Sequence, residues 1–205
     1  MSKGRLFVIS GPSGTGKGTI CKELLKKRSL ALSVSMTTRQ PRTGEIDGVH
    51  YYFVSKEEFL EKLAQGGLLE HAEVYGNYYG TPRAMVEEKL QQGQNVILEI
   101  EMKGAAQVRE SYPEAITIFV LPPSLEELRK RIRGRGTETE EAIRLRMSKT
   151  LEELQELPHY DYYVINDILE DAVRCTEAII DAESVKVDST VTELIRKYEE
   201  EEQTL

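Results

Sequence analysis

Cysteine is scarce. Two of the 205 residues carry a thiol, Cys21 and Cys175, and they lack the paired spacing of a metal site. Both read as buried or half-buried thiols of a reducing compartment. Histidine is almost as rare, and His50, His71 and His159 are scattered without ligand spacing, so none is assigned a catalytic role. No apolar stretch approaches the roughly 18 residues of a membrane span, and a strand pattern begins at once with no leader-like segment before it. An excess of positive charge is also missing. With 27 Lys and Arg against 35 Asp and Glu, the net charge is −8, which argues against a general nucleic-acid or membrane-surface binder. Repeats and low-complexity linkers are absent. The expectation is a soluble, cytoplasmic globular chain. Phosphate ligands stay open to it, because local arginines bind phosphate even inside an acidic protein.

Hydrophobic residues make up 40% and charged residues 30%, enough for one compact domain with small insertions. Residues 5–10, 95–101, 115–121 and 162–166 are short apolar, β-branched runs and read as buried strands. Residues 16–27, 125–133, 168–182 and 191–202 have helical periodicity. Strands alternating with helices predict an α/β fold, a parallel sheet flanked by helices. Two segments break the rhythm. Residues 34–82, rich in Tyr, Gly, Thr and Arg, read as a small and largely antiparallel insertion with a helix at 56–65. Residues 129–149 are dense in arginine, and Thr137 and Glu140 form a capping box that starts the next helix. The expected division is a core of 1–33, 83–128 and 150–205, an insertion at 34–82 and a helical lid at 129–149. The four glutamates at 199–202 read as a solvated helix face.

The strongest local signal follows the first strand. Gly11, Pro12, Ser13, Gly14, Thr15, Gly16, Lys17, Gly18 and Thr19 carry the Gly-x-x-x-x-Gly-Lys spacing of a phosphate-binding loop. Its glycines admit backbone conformations that a Cβ disfavours. Successive N–H groups then form an anion-binding concavity, and the following helix adds the positive end of its dipole. Lys17 supplies a full charge to the outer phosphates of a nucleoside triphosphate. The usual hydroxyl after the lysine is replaced by Gly18 and comes one residue later, at Thr19. A Mg²⁺ ion is therefore expected to be held through phosphate oxygens and water, with acidic residues elsewhere.

A second constellation lies in the insertion. Arg39 and Arg42, three apart around a proline, with the phenols of Tyr51 and Tyr79, can hold a monophosphate, since arginine forms forked charge-assisted bonds to phosphate. Hydroxyls such as Ser35 and Thr81 with a carboxylate such as Glu70 can read a guanine edge, whose adjacent N1–H and N2–H₂ donors adenine lacks.

Taken together, the chain resembles the guanylate kinase family. The resemblance rests on Gly11 to Lys17, on Ser35-x-x-Thr38-Arg39-x-Pro41-Arg42-x-Gly44-Glu45, and on Gly48-x-x-Tyr51. It continues through Gly76-Asn77-Tyr78-Tyr79-Gly80, Gly134-Arg135-Gly136-Thr137-Glu138 and Val164-Ile165-Asn166, in family order over nearly the whole chain. It implies a P-loop kinase that uses ATP and Mg²⁺ to phosphorylate GMP and dGMP in purine nucleotide metabolism. It places the GMP phosphate on Arg39, Arg42, Tyr51 and Tyr79, and the base near Ser35, Glu70, Thr81 and Glu101. Lys17 and the loop from Gly11 to Thr19 would hold ATP phosphates, with Asn166 near the adenine. Arg131, Arg135 and Arg146 would reach the transferring phosphate. Where the family often has Asp-x-Asp, this chain has Glu99 and Glu101, each one methylene longer. Two other readings remain open at this point. One is a kinase for a different small phosphate acceptor. The other is a peptide-binding scaffold of similar sequence, although such scaffolds usually lack the loop lysine. Oligomeric state is not legible.

Overall fold

In the computed structural model, residues 3–74, 76–134, 140–187 and 191–203 are described. The elements run in chain order β1 (Leu6–Ser10), α1 (Lys17–Lys27), β2 (Leu30–Leu32), β3 (Met36–Thr37), β4 (Tyr52–Phe53) and α2 (Lys56–Ala64). Then come β5 (Leu68–Val74), β6 (Asn77–Pro82), α3 (Arg83–Gln91), β7 (Asn95–Glu99), α4 (Met102–Ser111) and β8 (Ile116–Leu121). The chain continues with α5 (Leu125–Gly134), α6 (Glu140–Leu154), a 3₁₀ turn, β9 (Tyr162–Ile165), α7 (Leu169–Ser184) and α8 (Val191–Glu202).

Five strands form a wholly parallel sheet in the order β2-β7-β1-β8-β9. Central β1 is buried along its whole length, and the alternation of its side chains divides the core in two. Phe7 and Ile9 pack with Ile20, Cys21 and Leu24 of α1 and Val173 and Ile180 of α7. Leu6 and Val8 face the other way, onto Val86 and Leu90 of α3 and Ala105 and Val108 of α4. Each of the Val, Leu, Ile and Phe side chains among them, taken wholly out of water, contributes about 1.5–3 kcal/mol.

The second sheet has the order β4-β3-β6-β5. Its β3–β6 and β5–β6 pairs are antiparallel and its β3–β4 pair is parallel. It has its own small core of Met36, Phe59 and Leu68, with Phe59 supplied by α2. That helix begins where Ser55 caps the backbone N–H of Glu58. Helices α5 and α6 enclose a separate cluster of Leu128, Ile132, Ile143 and Met147.

Three elements were not read from the sequence: the short edge strand β2, and the helices α3 and α4. The predicted strand at 95–101 stops at Glu99, and Glu101 is instead the N-cap of α4. The two glutamates sit on different elements. Cys21 is buried as expected, whereas Cys175 is exposed. Among the described residues no helix is long and apolar enough to cross a membrane.

Candidate active site

The loop from Gly11 to Gly16 leaves the carboxyl end of β1, the end of a parallel sheet at which ligands bind in open α/β folds. Gly11, Gly14 and Gly16 have φ of 136°, 92° and 90°, in the region that favours glycine. Two of them also have no room for a side chain. A Cβ at Gly11 would overlap the Val120 carbonyl oxygen, and one at Gly16 would overlap Nδ2 of Asn166. Gly16 is the N-cap of α1 with no side-chain cap, and no acidic residue stands in the first turn. The first amides of the helix are thus left to an anion.

Supports around the loop come from distant elements. Asn166, buried just after β9, donates its amide to the Thr15 carbonyl at 2.7 Å. Arg131 of α5 donates to the Asn166 carbonyl at 2.8 Å and to Glu127 at 3.1 Å. Arg146 of α6 donates to the Ser13 hydroxyl at 3.1 Å. Gly14 faces Leu128 and Ile132 of α5 so closely that a Cβ would stand 3.1 Å and 3.2 Å from their side chains.

Lys17 folds back on its own loop, with Nζ 2.6 Å from the Gly11 carbonyl oxygen and 3.1 Å from that of Pro12. Burial pushes its pKa below the ordinary lysine value, against the pull of the carboxylates of Glu101, Glu99 and Glu153. Burial raises the pKa of Glu99, Lys17 opposes the rise and Glu101 adds to it. The missing side chain at position 18 has a structural consequence. A Cβ there would lie 3.1 Å from Oε1 of Glu99, so Gly18 makes room for that carboxylate.

The second sheet assembles the other residues. The Thr81 hydroxyl donates to Oε1 of Glu70 at 2.7 Å, and Ser35 Oγ stands 3.5 Å from Thr81 Oγ1. Thr81 is fully buried and Glu70 nearly so. Burial raises the Glu70 pKa, and the hydrogen bonds from Thr81 offset part of the rise. The carboxylate fits only because α4 presents Gly104, where a Cβ would lie 2.5 Å from Oε2 of Glu70. Two residues along β6 from Thr81, and so on the same face, Tyr79 meets Tyr51 edge to face with ring centroids 5.9 Å apart. The Arg39 guanidinium lies over the Tyr51 ring at 5.3 Å. It is bonded twice to Glu45, at 2.7 Å and 2.9 Å, while the backbone N–H of Arg42 donates to the same carboxylate.

The expected residues thus fall into three groups. Gly11 to Thr19 are joined by Arg131, Arg146, Asn166, Glu99 and Glu101. Ser35, Glu70 and Thr81 form one hydrogen-bonded chain. Arg39, Arg42, Tyr51 and Tyr79 gather at the turn beside it. Asn166 spends its side-chain amide beneath the loop. Arg135 lies outside the described residues. Sequence reasoning gave no role to Glu45, Gly104 or Glu153. The Thr43-Gly44-Glu45 turn was a signal for the first, while Gly104 and Glu153 carry none. Among the described residues no group of three or more His, Cys, Asp and Glu is disposed to hold a metal ion.

The model of the family described as guanylate kinase matches residues 3–183. A guanylate kinase of Clostridioides difficile is 54% identical over 202 residues, covering 98% of either chain. One of Clostridium tetani is 56% identical over 188 residues, covering 92% of this chain and 90% of the relative. Among solved structures, a guanylate kinase from Anaplasma phagocytophilum superposes with a TM-score of 0.76 at 34% identity, over 95% of this chain and 94% of that one.

Proposed function

This chain belongs to the guanylate kinase family, and on that premise we propose that it transfers the terminal phosphoryl group of ATP to GMP or dGMP, giving ADP and GDP or dGDP. The observation that carries the reading is the β6 face. There a hydroxyl pinned to a buried carboxylate, Thr81 on Glu70, stands two residues from the Tyr79, Tyr51 and Arg39 cluster. Thr81 and Tyr79 therefore stand about 7 Å apart on one face of β6, the first joined to Glu70 of β5 and the second to the ring of Tyr51.

Glu70 accepts from guanine N1–H and N2–H₂, while the Ser35 and Thr81 hydroxyls and Glu101 complete the base site. Arg39, Arg42, Tyr51 and Tyr79 hold the acceptor phosphate. The loop amides and Lys17 hold the outer phosphates of ATP. The attacking group is a phosphate oxygen already ionised near neutral pH, so no side chain has to remove a proton. The oxygen attacks the γ-phosphorus in line, and the bond to the β-phosphate oxygen breaks with its electrons leaving on ADP. The chain contributes alignment and positive charge, with Lys17 and Arg146 beside the loop and Arg131 braced on Asn166. Arg135 belongs to the same proposal.

Mg²⁺ accompanies ATP and supplies charge neutralisation at the phosphates. The hard oxygen donors near Lys17 suit it. Glu99, in the room left by Gly18, would hold it through water. Shielding ATP from water requires the insertion at 34–82 and the arginine-rich segment at 129–149 to close over the two nucleotides. The setting is the cytoplasm, in purine nucleotide metabolism and the recycling of GMP.

Initial rates with ATP as donor and GMP, dGMP, AMP, UMP and IMP as acceptors test this directly. GMP and dGMP should react fastest. Equal rates with AMP would remove Glu70 and Thr81 from the base site.

A further inference from the structure

One member of the arginine motif has no part in the chemistry above. Residues 42–45 form a tight turn, closed by a hydrogen bond from the Glu45 N–H to the Arg42 carbonyl at 3.0 Å. Gly44 takes φ of 87° within it, as the third position of a type II turn demands. The turn swings the Glu45 side chain back over its own start. Oε2 accepts from the Arg42 backbone N–H at 2.7 Å and from Nη1 of Arg39 at 2.7 Å, and Oε1 accepts from Nη2 at 2.9 Å. Nη1 also donates to the Gln40 carbonyl at 2.8 Å. The ion pair is sheltered although the loop is at the surface, with side chains 14% and 18% exposed. Tyr51 and Phe53 flank the guanidinium at 5.3 Å and 5.7 Å.

An arginine has five N–H groups and two forked edges. Glu45 takes the two N–H groups of the end-on edge between Nη1 and Nη2, and the Gln40 carbonyl takes the remaining N–H of Nη1, three of the five in all. The side-on edge, Nε with the second N–H of Nη2, has the same two-pronged geometry and suits a phosphate equally well. Glu45 above all, with a smaller contribution from the Tyr79 hydroxyl, holds the pKa of this guanidinium above the ordinary arginine value. Glu45 itself is held down to about 2, chiefly by Arg39, so the clamp stays charged at any pH at which the protein works.

We propose that Glu45 is a positioning residue for the acceptor phosphate. Its carboxylate clamps the end-on edge of Arg39 and the N–H of Arg42, so that Arg39 presents its side-on edge to the phosphate already ordered. This rests on Arg39 being a ligand of the GMP phosphate. The physical gain is preorganisation. A long, rotamer-rich side chain is immobilised on folding rather than on binding, and the affinity that ordering would otherwise take is kept. The opposing effect is repulsion between Glu45 and the phosphate. With Arg39 and Arg42 both beside it, the turn still carries one net positive charge, so attraction prevails.

The test uses the Glu45→Ala and Glu45→Gln proteins, with Arg39→Ala alongside. Steady-state constants for both substrates are measured, together with dissociation constants for GMP and for guanosine, which lacks the phosphate. In Glu45→Ala, KM and Kd for GMP should rise by about 10- to 100-fold. KM for ATP, kcat and guanosine binding should stay within about threefold, the ordinary scatter of a conservative change. Glu45→Gln keeps an acceptor for Arg42 and should fall between. Two results overturn the proposal. Unchanged or tighter GMP binding in Glu45→Ala would make the carboxylate a competitor of the phosphate. Equal losses for GMP and guanosine in both variants would make it a mere packing element of the loop. If Arg39→Ala instead binds GMP as the wild type does, the failure lies in the assignment of Arg39, and the clamp falls with it.

Discussion

Glu70 is a carboxyl group kept in a place that does not favour its charge. Its pKa is raised by burial, so the unfolded chain gives up this proton at lower pH than the folded one. Below the ordinary glutamate value both states are protonated and nothing is lost. Between that value and the raised one the folded state is progressively penalised, and the penalty persists at neutral pH. Glu70→Gln should therefore melt at the same temperature as the wild type or higher at pH 7–8, and the difference should shrink as pH falls toward the ordinary glutamate range. The same change should raise KM for GMP at least about tenfold. Thermal melts across pH with GMP kinetics check both, and a large drop in melting temperature would mark Glu70 as a prop of the fold. Lys17 follows the same logic with opposite sign. Its lowered pKa means that burial of the ammonium costs stability below the depressed value, and the cost fades as pH rises through it. Lys17→Ala should lose at least about 100-fold in kcat without loss of melting temperature. Near-normal turnover would show that the triphosphate sits elsewhere.

At the scale of the element, α4 holds a conflict between propensity and fit. Replacing a glycine inside a helix by alanine ordinarily stabilises by about 1 kcal/mol. At Gly104 the added methyl meets the end of the Glu70 side chain at 2.5 Å, so the carboxylate must give way. Gly104→Ala is expected to keep or improve thermal stability, raise KM for GMP about tenfold and leave KM for ATP unchanged. A GMP constant equal to the wild type's would show that the Glu70 carboxylate moves without consequence. The loop and α1 were legible because they are local. Glycine spacing, the lysine and the helical pattern fall within a dozen residues, and the left-handed φ at Gly16 is a property of that stretch alone. The α4 helix was not, because apolar periodicity around Met102, Ala105 and Val108 is short and interrupted by the glycine that the Glu70 site requires. The edge strand β2 was missed for a simpler reason: three residues carry too little pattern.

For the whole molecule, the two proposed nucleotide sites lie on different sheets, and each ligand should stabilise through its own. A ligand at a hundred times its Kd contributes about 2.7 kcal/mol, which for a chain of this length is about 5–10 °C in melting temperature. GMP alone and ATP with Mg²⁺ alone should each give such a shift in the wild type. Lys17→Ala should lose the ATP shift and keep the GMP shift, while Arg39→Ala should do the reverse. Differential scanning fluorimetry reads all four, and loss of both shifts in either variant would mean that the sites are not separable. The braces on the loop explain why separation stops short of independence. Arg146 reaches it from α6 and Arg131 of α5 reaches it through Asn166, so whatever moves those helices changes the charge around the loop.

By itself the sequence determined the parallel α/β core, the phosphate-binding loop and the residue types proposed to hold the two phosphates. Those follow from short-range rules: apolar alternation, glycine conformation and the chemistry of arginine. Tertiary structure alone decided what those residues touch. That Gly104 admits the Glu70 carboxylate, that Gly18 leaves space for Glu99 and that Asn166 holds the Thr15 carbonyl are outcomes of packing between distant parts of the chain. No spacing along the sequence encodes them, because each depends on where a second element comes to rest.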